Sequence, residues 1–527
     1  MTSTIVPPRA RRRARSVVPL GGPGLLVALL VALLAALLVA VPTGTSRADD
    51  GSTEAGAPGG DPVAPVEPVR PYRNVVVVMA DDMSYDVFNT VPRLKALEQQ
   101  GTTFTRYAVA DSLCCPSRTS FLRGQYLHNH DIAGNVRPEG GWPAYRDYGY
   151  DQDDLATWVR RTGVTTGYIG KFLNDYPGDS PRETVPNGWD HWFGPFGTSY
   201  KGYGYNVNVD GQIYAYGWQP QDYLTDVMRS DAIRFIEATP DPFFLVVAPF
   251  TPHEPATPAK QYKTKYAGMK APRTPSYDVR DPSWSPRWLS RKPAATKEFK
   301  AYMDDLWRKQ LRSSESIADL VIGVQESLRA TGKDQDTLVV FTSDNGFHLG
   351  QHRLGAGKQT VYDEDVVVPL VMMGPGIPAG QKVPALASGV DLAPTIAEAL
   401  GASVPDFVDG RSLLPLLTDP GRPWRARVLV EHLGYALPGD PDYQTRVMPR
   451  PFTSLRTKDY VYAEYLDGSR QLFLTTDTYQ LDNRAKRASP AVLARLSRWM
   501  SAMSRCSGPV CRSADGGPPS RSAIAGG

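Results

Sequence analysis

The strongest constraint on the fold is a run of seven residues, Asn74-Val75-Val76-Val77-Val78-Met79-Ala80, that ends abruptly in Asp81-Asp82. Consecutive β-branched residues favour an extended backbone, and a strand apolar on both faces must be covered on both, as in the parallel sheets of α/β proteins. The pattern returns at Phe243 to Phe250, followed by Thr251-Pro252-His253, and at Thr337 to Thr342, followed by Ser343-Asp344-Asn345-Gly346. Val368 to Met373, ending at Gly374-Pro375-Gly376, reads as a fourth such strand. Helical patterns intervene, among them Leu155 to Arg161 and Ser313 to Leu328. Strand and helix in alternation predict a doubly wound sheet, and such sheets bind ligands just past the strand ends, where this chain places Asp, Asn and His. Beyond about residue 425 short strands and a helix near Pro490 to Met503 replace this pattern and predict a smaller α+β subdomain.

The N-terminus stands apart. Arg9, Arg11, Arg12, Arg13 and Arg15 precede an apolar stretch from Leu25 to Val41, and Ser46-Arg47-Ala48 offers a small-x-Ala cleavage site. Residues 1–48 therefore read as a signal peptide or a retained signal anchor, and the Pro/Gly/acid-rich residues 49–70 as a flexible linker. Export to a secreted or extracytoplasmic location follows, with membrane attachment only if the segment is kept. The leader holds six arginines and no acids, so the formal charge of +3 becomes +3 − 6 = −3 without it. That leaves no basic excess to attract nucleic acid. Of the four cysteines, Cys506 and Cys511 are placed to close a small disulfide loop in an oxidising compartment. Cys114 and Cys115 are neighbours, for which an ordinary disulfide is badly strained, so they need another explanation.

That explanation lies in Cys114-Cys115-Pro116-Ser117-Arg118-Thr119-Ser120-Phe121-Leu122-Arg123-Gly124. The segment resembles the type I sulfatase signature C-x-P-S-R-x-x-x-L-T-G, with Arg123 in place of the usual Thr. The resemblance implies an alkaline-phosphatase-like fold, a large mixed α/β sheet flanked by helices. It also implies that a formylglycine-generating enzyme oxidises Cys114 to formylglycine, whose hydrate is the nucleophile. Asp81, Asp82, Asp344 and Asn345 follow two apolar strands and form an oxygen-rich set suited to Ca²⁺ or Mg²⁺. In the resembling family these positions bind calcium together with the modified Cys114.

The same resemblance assigns Arg118 to the ionised diol and metal site, Lys171 to the diol and sulfate, His253 to sulfate contact and proton donation, and Lys358 to sulfate and the leaving group. Many family members carry His two residues after that lysine; here Leu173 stands there, with Asn174 beside it as a substitute polar contact. His348 and His352 lie in the loop between Asp344 and Lys358 without an assigned role. Further segments in family order are Asp391 to Thr395, Asp409 to Leu416 and Tyr479 to Asn483, so the likeness spans about Val75 to Asn483. Cys115, His128-Asn129-His130 and the Lys-x-Leu-Asn motif resemble the branch of N-acetylglucosamine-6-sulfatase and the heparan sulfate 6-O-sulfatases.

The reading is thus a catalytic domain over residues 71–424, a C-terminal subdomain over 425–512 and a disordered tail over 513–527. The function is hydrolysis of sulfate monoesters on a small molecule or glycan, with sulfated amino sugars and glycosaminoglycans the implied substrates. The Tyr/Gly-rich loop Gly194 to Gly217 either stacks on sugar rings or packs on itself. Two rivals fit parts of the pattern: a phosphodiester or phosphonate monoester hydrolase of the same superfamily, and a non-catalytic carbohydrate-binding protein that has kept the fold.

Overall fold

Val75 to Val78 run through the middle of the molecule in strand β1 (Asn74–Ala80), all seven residues of which are buried. The period of two along a strand sorts their side chains. Val75, Val77 and Met79 enter one hydrophobic core, and Val76, Val78 and Ala80 enter another on the opposite face. The structure, a computed structural model, describes residues 71–281, 285–434, 440 and 449–516. The expected leader and linker lie outside the described residues.

Nine further strands complete the main sheet. They are β2 (Thr102–Phe104), β3 (Thr165–Gly170), β4 (His191–Phe196), β5 (Asn206–Val209), β6 (Gln212–Ala215), β7 (Phe243–Ala248), β8 (Thr337–Ser343), β9 (Leu370–Met373) and β10 (Gln381–Val383). Their spatial order is β10-β2-β9-β8-β1-β7-β3-β4-β5-β6. From β8 across to β4 neighbouring strands run parallel. β9 is antiparallel to both β8 and β2, and β5 and β6 form an antiparallel edge, so the sheet is mixed, not purely doubly wound. Six helices matter below: α1 (Cys114–Arg123), α2 (Leu155–Arg160), α3 (Leu224–Ala238), α4 (Lys297–Ala330), α5 (Pro490–Met503) and α6 (Pro509–Ala514). α3 and α4 bury Met228, Phe235, Leu306 and Leu311 on the Val76/Val78 face, whereas α2 brings Leu155 and Val159 to the other.

Strand β3 was not predicted, because Thr165-Thr166-Gly167 interrupts the apolar run that marks its neighbours. The loop Gly194 to Gly217 contains the end of β4 and the hairpin β5–β6, and much of its aromatic content packs internally, with Tyr205 stacked on Tyr216 at 5.0 Å.

The C-terminal sheet has four antiparallel strands, β11 (Arg427–His432), β12 (Phe452–Thr457), β13 (Tyr460–Tyr465) and β14 (Arg470–Leu474). Leu496 and Met500 of α5 share a third core with Leu429, Leu455 and Tyr460. The described residues fall in one compact unit, so the boundary near residue 425 separates sheets, not independent bodies. Cys506 and Cys511 are disulfide-bonded. Residues 513–516, expected in a disordered tail, are instead folded, and the rest of that expected tail lies outside the described residues: α6 runs to Ala514, and the buried Asp515 pairs with Arg411 at 2.5 Å and Arg425 at 3.1 Å. Two buried-side ion pairs hold these residues to the fold where the sequence offered only a polar Ser-Ala-Asp-Gly stretch. Among the described residues no helix is long and apolar enough to cross a membrane.

Candidate active site

Six chain segments meet where the parallel strands end, one of them the loop that carries Lys358. β1 delivers Asp81 and Asp82, β3 delivers Lys171, β7 leads to His253, β8 leads to Asp344 and Asn345, and α1 begins at Cys114. The turn after β1 depends on Asp82 adopting a left-handed backbone, φ 63°. Asp tolerates that region better than most residues. Cys114 is the first residue of α1, where the unpaired N–H groups of the first turn give partial positive charge. Arg118 lies four residues on, hence on the same helix face.

Cys114 is fully buried. Its Sγ lies 3.4 Å from Asp81 Oδ1, 3.8 Å from Asp82 Oδ1 and 2.8 Å from Lys358 Nζ. Lys358 also donates to Asp82 Oδ1 at 2.6 Å, and Lys171 Nζ donates to both oxygens of Asp81 at 2.7 and 2.8 Å. Arg118 donates from Nε to Asp344 Oδ2 at 2.8 Å and from a terminal nitrogen to the carbonyl of Lys171 at 2.6 Å. His253 donates through Nδ1 to the carbonyl of Glu254 at 2.7 Å, which directs Nε2 toward Asp82 Oδ2, 3.5 Å away.

Electrostatics follow from these contacts. Burial alone pushes the Asp81 carboxyl up, but Lys171, His253 and Arg118 together hold it below the ordinary carboxylate range. Burial opposes the charge on Lys171, yet Asp81 raises its ammonium well above the usual value. For the unmodified Cys114 thiol burial wins, and it titrates well above a free thiol despite Lys171 and Lys358. Burial also pushes the Cys115 thiol up to about 12. Cys115 points away from the cluster, into the apolar core that holds Phe172 and Leu173.

The donor set admits a hard divalent cation. Asp81, Asp82, Cys114 and His253 place one ligand atom each within 4.8 Å of one another. Asp82 Oδ2 and Asn345 Oδ1 are buried without a hydrogen-bond partner among the described residues, as oxygens awaiting an ion would be. Asp344 is hydrogen-bonded through both carboxylate oxygens. Its Oδ1 accepts the N–H groups of Asp82 at 3.1 Å and Asn345 at 2.8 Å, and its Oδ2 is taken by Arg118. Three carboxylates thus face three permanent cations, so a divalent ion would leave an excess of two positive charges for an anionic substrate.

The structure brings together every residue expected at the site. His348 and His352 stay outside it, paired with Asp365 at 2.8 Å and Asp281 at 3.1 Å, and His352 stacks on Tyr362. Tyr200 is the member that motif reading left unassigned. Its ring lies 5.2 Å from Lys171 Nζ and 4.6 Å from the His253 ring. The only signal for it was the Tyr-rich composition of Gly194 to Gly217.

With this geometry in view, comparisons with known proteins agree. A family model described as Sulfatase matches residues 73–402, and one described as N-sulphoglucosamine sulphohydrolase, C-terminal, matches residues 350–487. Human N-acetylglucosamine-6-sulfatase is 32% identical over 83% of this chain and 86% of its own. An arylsulfatase of Volvox carteri is 30% identical over 83% of this chain and 75% of its own. Among solved structures, a protein in complex with its substrate D-glucosamine-2-N,6-O-disulfate superposes with TM-score 0.69 at 19% identity, covering 82% of this chain and 97% of that one. The phosphonate monoester hydrolase of Silicibacter pomeroyi gives TM-score 0.64 at 25% identity over 82% and 94%.

Proposed function

Because the chain belongs to the sulfatase family, we propose that it is an exported, calcium-dependent sulfatase that uses formylglycine at position 114 to cleave sulfate esters of amino sugars. One observation carries this reading: the Cys114 side chain lies within 3.8 Å of Asp81, Asp82 and Lys358, in the family's signature segment. Likeness to N-acetylglucosamine-6-sulfatase over most of both chains supports the amino-sugar substrate.

Asp81, Asp82, Asp344 and Asn345, with the modified Cys114, would hold calcium, and Asp344 also fixes Arg118 and the turn. The ion would supply positive charge for an anionic sulfate, and hydrated formylglycine at position 114 would supply an oxygen nucleophile. The other steps belong to the chain's own side chains. Lys171 and Lys358, both buried, neutralise the oxyanions that gain charge in the transition state. Arg118, held by two hydrogen bonds, adds a fixed positive charge to the same wall. His253 keeps Nδ1 on a backbone carbonyl, so Nε2 is the ring nitrogen able to pass a proton to the departing alkoxide, with Lys358 also within reach of the nucleophile.

The test is hydrolysis of an aryl sulfate, glucosamine 6-sulfate and an aryl phosphodiester by protein co-expressed with a formylglycine-generating enzyme. Sulfate release should be lost in Cys114→Ala and in chelator, and restored by added calcium. Turnover that survives Cys114→Ala overturns the nucleophile; undiminished turnover in chelator overturns the metal. Preference for the phosphodiester would move the chain to the reaction class of its phosphonate-hydrolysing neighbour.

A further inference from the structure

The sheet that delivers Lys171 to the reaction centre runs on to an edge for which the chemistry has no use. β3, β4, β5 and β6 are neighbours in that order. Their register aligns the ends: Ile169 pairs with Phe193, Phe196 with Asn206, and Asn206 with Ala215. Lys171, just past β3, therefore leaves the sheet at the same end as Tyr203 and Gly204, just before β5, and Gly217 and Trp218, just past β6. Three strand spacings separate β3 from β6, about 14 Å. Tyr200, in the loop from β4 to β5, touches Lys171 and His253 at the inner end of this edge.

At the outer end Trp218 is 67% exposed, although a side chain of its size is mostly covered in folded proteins. It is exposed but held. The indole lies against the backbone of Gly204, where a Cβ would come within 2.5 Å of the ring. The Gly204 N–H donates to the Gly217 carbonyl at 2.8 Å, and the Tyr216 N–H to the Tyr205 carbonyl at 2.9 Å, so hairpin bonding extends to the residue before Trp218. The residue after it, Gln219, donates its N–H to Asp222 Oδ2 at 2.9 Å. The Tyr203 ring lies 6.3 Å from the indole with the two planes 18° apart, and the buried Tyr223 backs it at 5.3 Å. Two near-parallel rings, fixed from behind, make an aromatic step whose ordering a ligand need not supply.

The size of the step decides what it fits. The large apolar residues exposed on this edge are Tyr214 and Trp218, far short of the roughly 800 Å² that each partner of a stable protein interface buries. A pyranose ring is smaller, with C–H groups on its faces and hydroxyls around its rim. The faces suit the two aromatic rings, and the rim suits the half-buried Asp222 carboxylate and the exposed Gln219 amide beside them. We propose that Tyr203 and Trp218 form a second carbohydrate site, which stacks a ring of the glycan chain whose sulfated residue lies at Cys114, so that oligosaccharides are preferred to single sugars. The proposal rests on the sulfatase reading of the reaction centre and adds a preference for chain length, set about three strands away from the reacting atoms.

Two measurements test it. The first is calorimetric binding of the unsulfated N-acetylglucosamine tetramer and of its monomer to wild type, Trp218→Ala and Trp218→Tyr. The tetramer should bind wild type more tightly than the monomer does. Trp218→Ala should weaken the tetramer about tenfold and leave the monomer unchanged, and Trp218→Tyr, which keeps a ring, should recover most of the loss. Such binding supports the site even if no sulfate ester is ever turned over. A tetramer that binds no better than the monomer, or binds indifferently to Trp218, overturns the site whatever the reaction proves to be. The second measurement compares kcat/KM for a 6-sulfated N-acetylglucosamine tetramer and for an aryl sulfate. Trp218→Ala should lower the tetramer-to-aryl ratio about tenfold, mainly through KM, with aryl sulfate turnover unchanged as the sign of an intact fold. An unchanged ratio would overturn the proposal while leaving a sulfatase; absence of aryl sulfate turnover in wild type would instead count against the reaction and leave the binding result to stand.

Discussion

Single residues here divide sharply between chemistry and support, and neighbours in sequence fall on opposite sides. Cys114 faces carboxylates and ammonium groups; Cys115, one residue along the helix, is turned by about 100° into the core. Its backbone N–H donates to Asn135 Oδ1 at 3.0 Å, a bond that any side chain would keep. Cys115→Ala should therefore cost about 1 kcal/mol in stability and leave kcat within a few-fold of wild type in fully modified protein. Steady-state kinetics with a mass measurement of residue 114 would check it, and a folded, modified but inactive variant would contradict it. His130 supplies a pH prediction. Its Nδ1 accepts the N–H of Ile132 at 3.1 Å and its Nε2 meets Ser120 Oγ at 3.1 Å, an arrangement that requires a neutral ring. Burial, with help from Arg123, pushes its pKa down to about 3. Between there and the unfolded value near 6.5 the unfolded chain binds the extra proton, so stability must fall as pH drops through that window, by about 1.4 kcal/mol per pH unit from this group. His130→Asn, which retains an acceptor for Ile132, should flatten the fall in melting temperature between pH 6.5 and 5; an unchanged slope would refute the assignment.

At the scale of elements, what the sequence disclosed and what it hid have physical reasons. Strands β1, β7 and β8 were legible because they are buried on both faces, which demands unbroken apolar runs. The site residues were legible because a parallel sheet places functional groups at its strand ends, and the Cys114 segment matches a family signature. β3 was illegible, since it packs small residues where its neighbours approach: a Cβ on Gly167 would meet Phe235 at 2.8 Å. The antiparallel direction of β9 was equally hidden, because direction is set by connection and not by composition. Arg123 departed from the signature for a reason that only packing shows. It lies between the rings of Tyr150 and Phe407, at 4.1 and 4.3 Å, and donates to Gln125. β3 ends in Gly170, φ 121°, where a Cβ would lie 2.1 Å from the carbonyl oxygen of Ala248. That close approach sets the direction of Lys171, whose N–H donates to the same oxygen at 2.8 Å. Gly170→Ala should thus destabilise by about 2 kcal/mol or more and reduce kcat as well, by displacing Lys171 from Asp81. Thermal denaturation and kinetics together would decide it, and normal values for both would mean the strand end adapts more freely than its contacts imply.

Across the whole molecule, the C-terminal region acts as a clasp on the nucleophile helix. His128 and Asn129, two of the three residues that looked diagnostic of a family branch, make that connection. His128 pairs with Glu431 of β11 at 2.7 Å and donates to the carbonyl of Cys506 at 3.0 Å, and Asn129 donates to that carbonyl and to Asp409. Asp409 in turn accepts the N–H of Tyr126 at 2.8 Å and of Gly508 at 2.6 Å. The disulfide between Cys506 and Cys511 closes the loop that presents both the carbonyl and Gly508. For a loop of about six residues, loss of the cross-link should lower stability by about 2 kcal/mol in the chain-entropy account. The same loss loosens the partners of His128 and Asn129, so its effect should reach α1. Cys506→Ser with Cys511→Ser is expected to lower the melting temperature and to raise amide exchange in residues 124–131 as well as in α6. Activity at 25 °C should persist, because no side chain of the clasp touches the Cys114 cluster. Added reductant should reproduce the effect in wild type and do nothing further to the double variant. Faster exchange confined to α6 would show that the disulfide serves its own loop alone and that the clasp is held by β11.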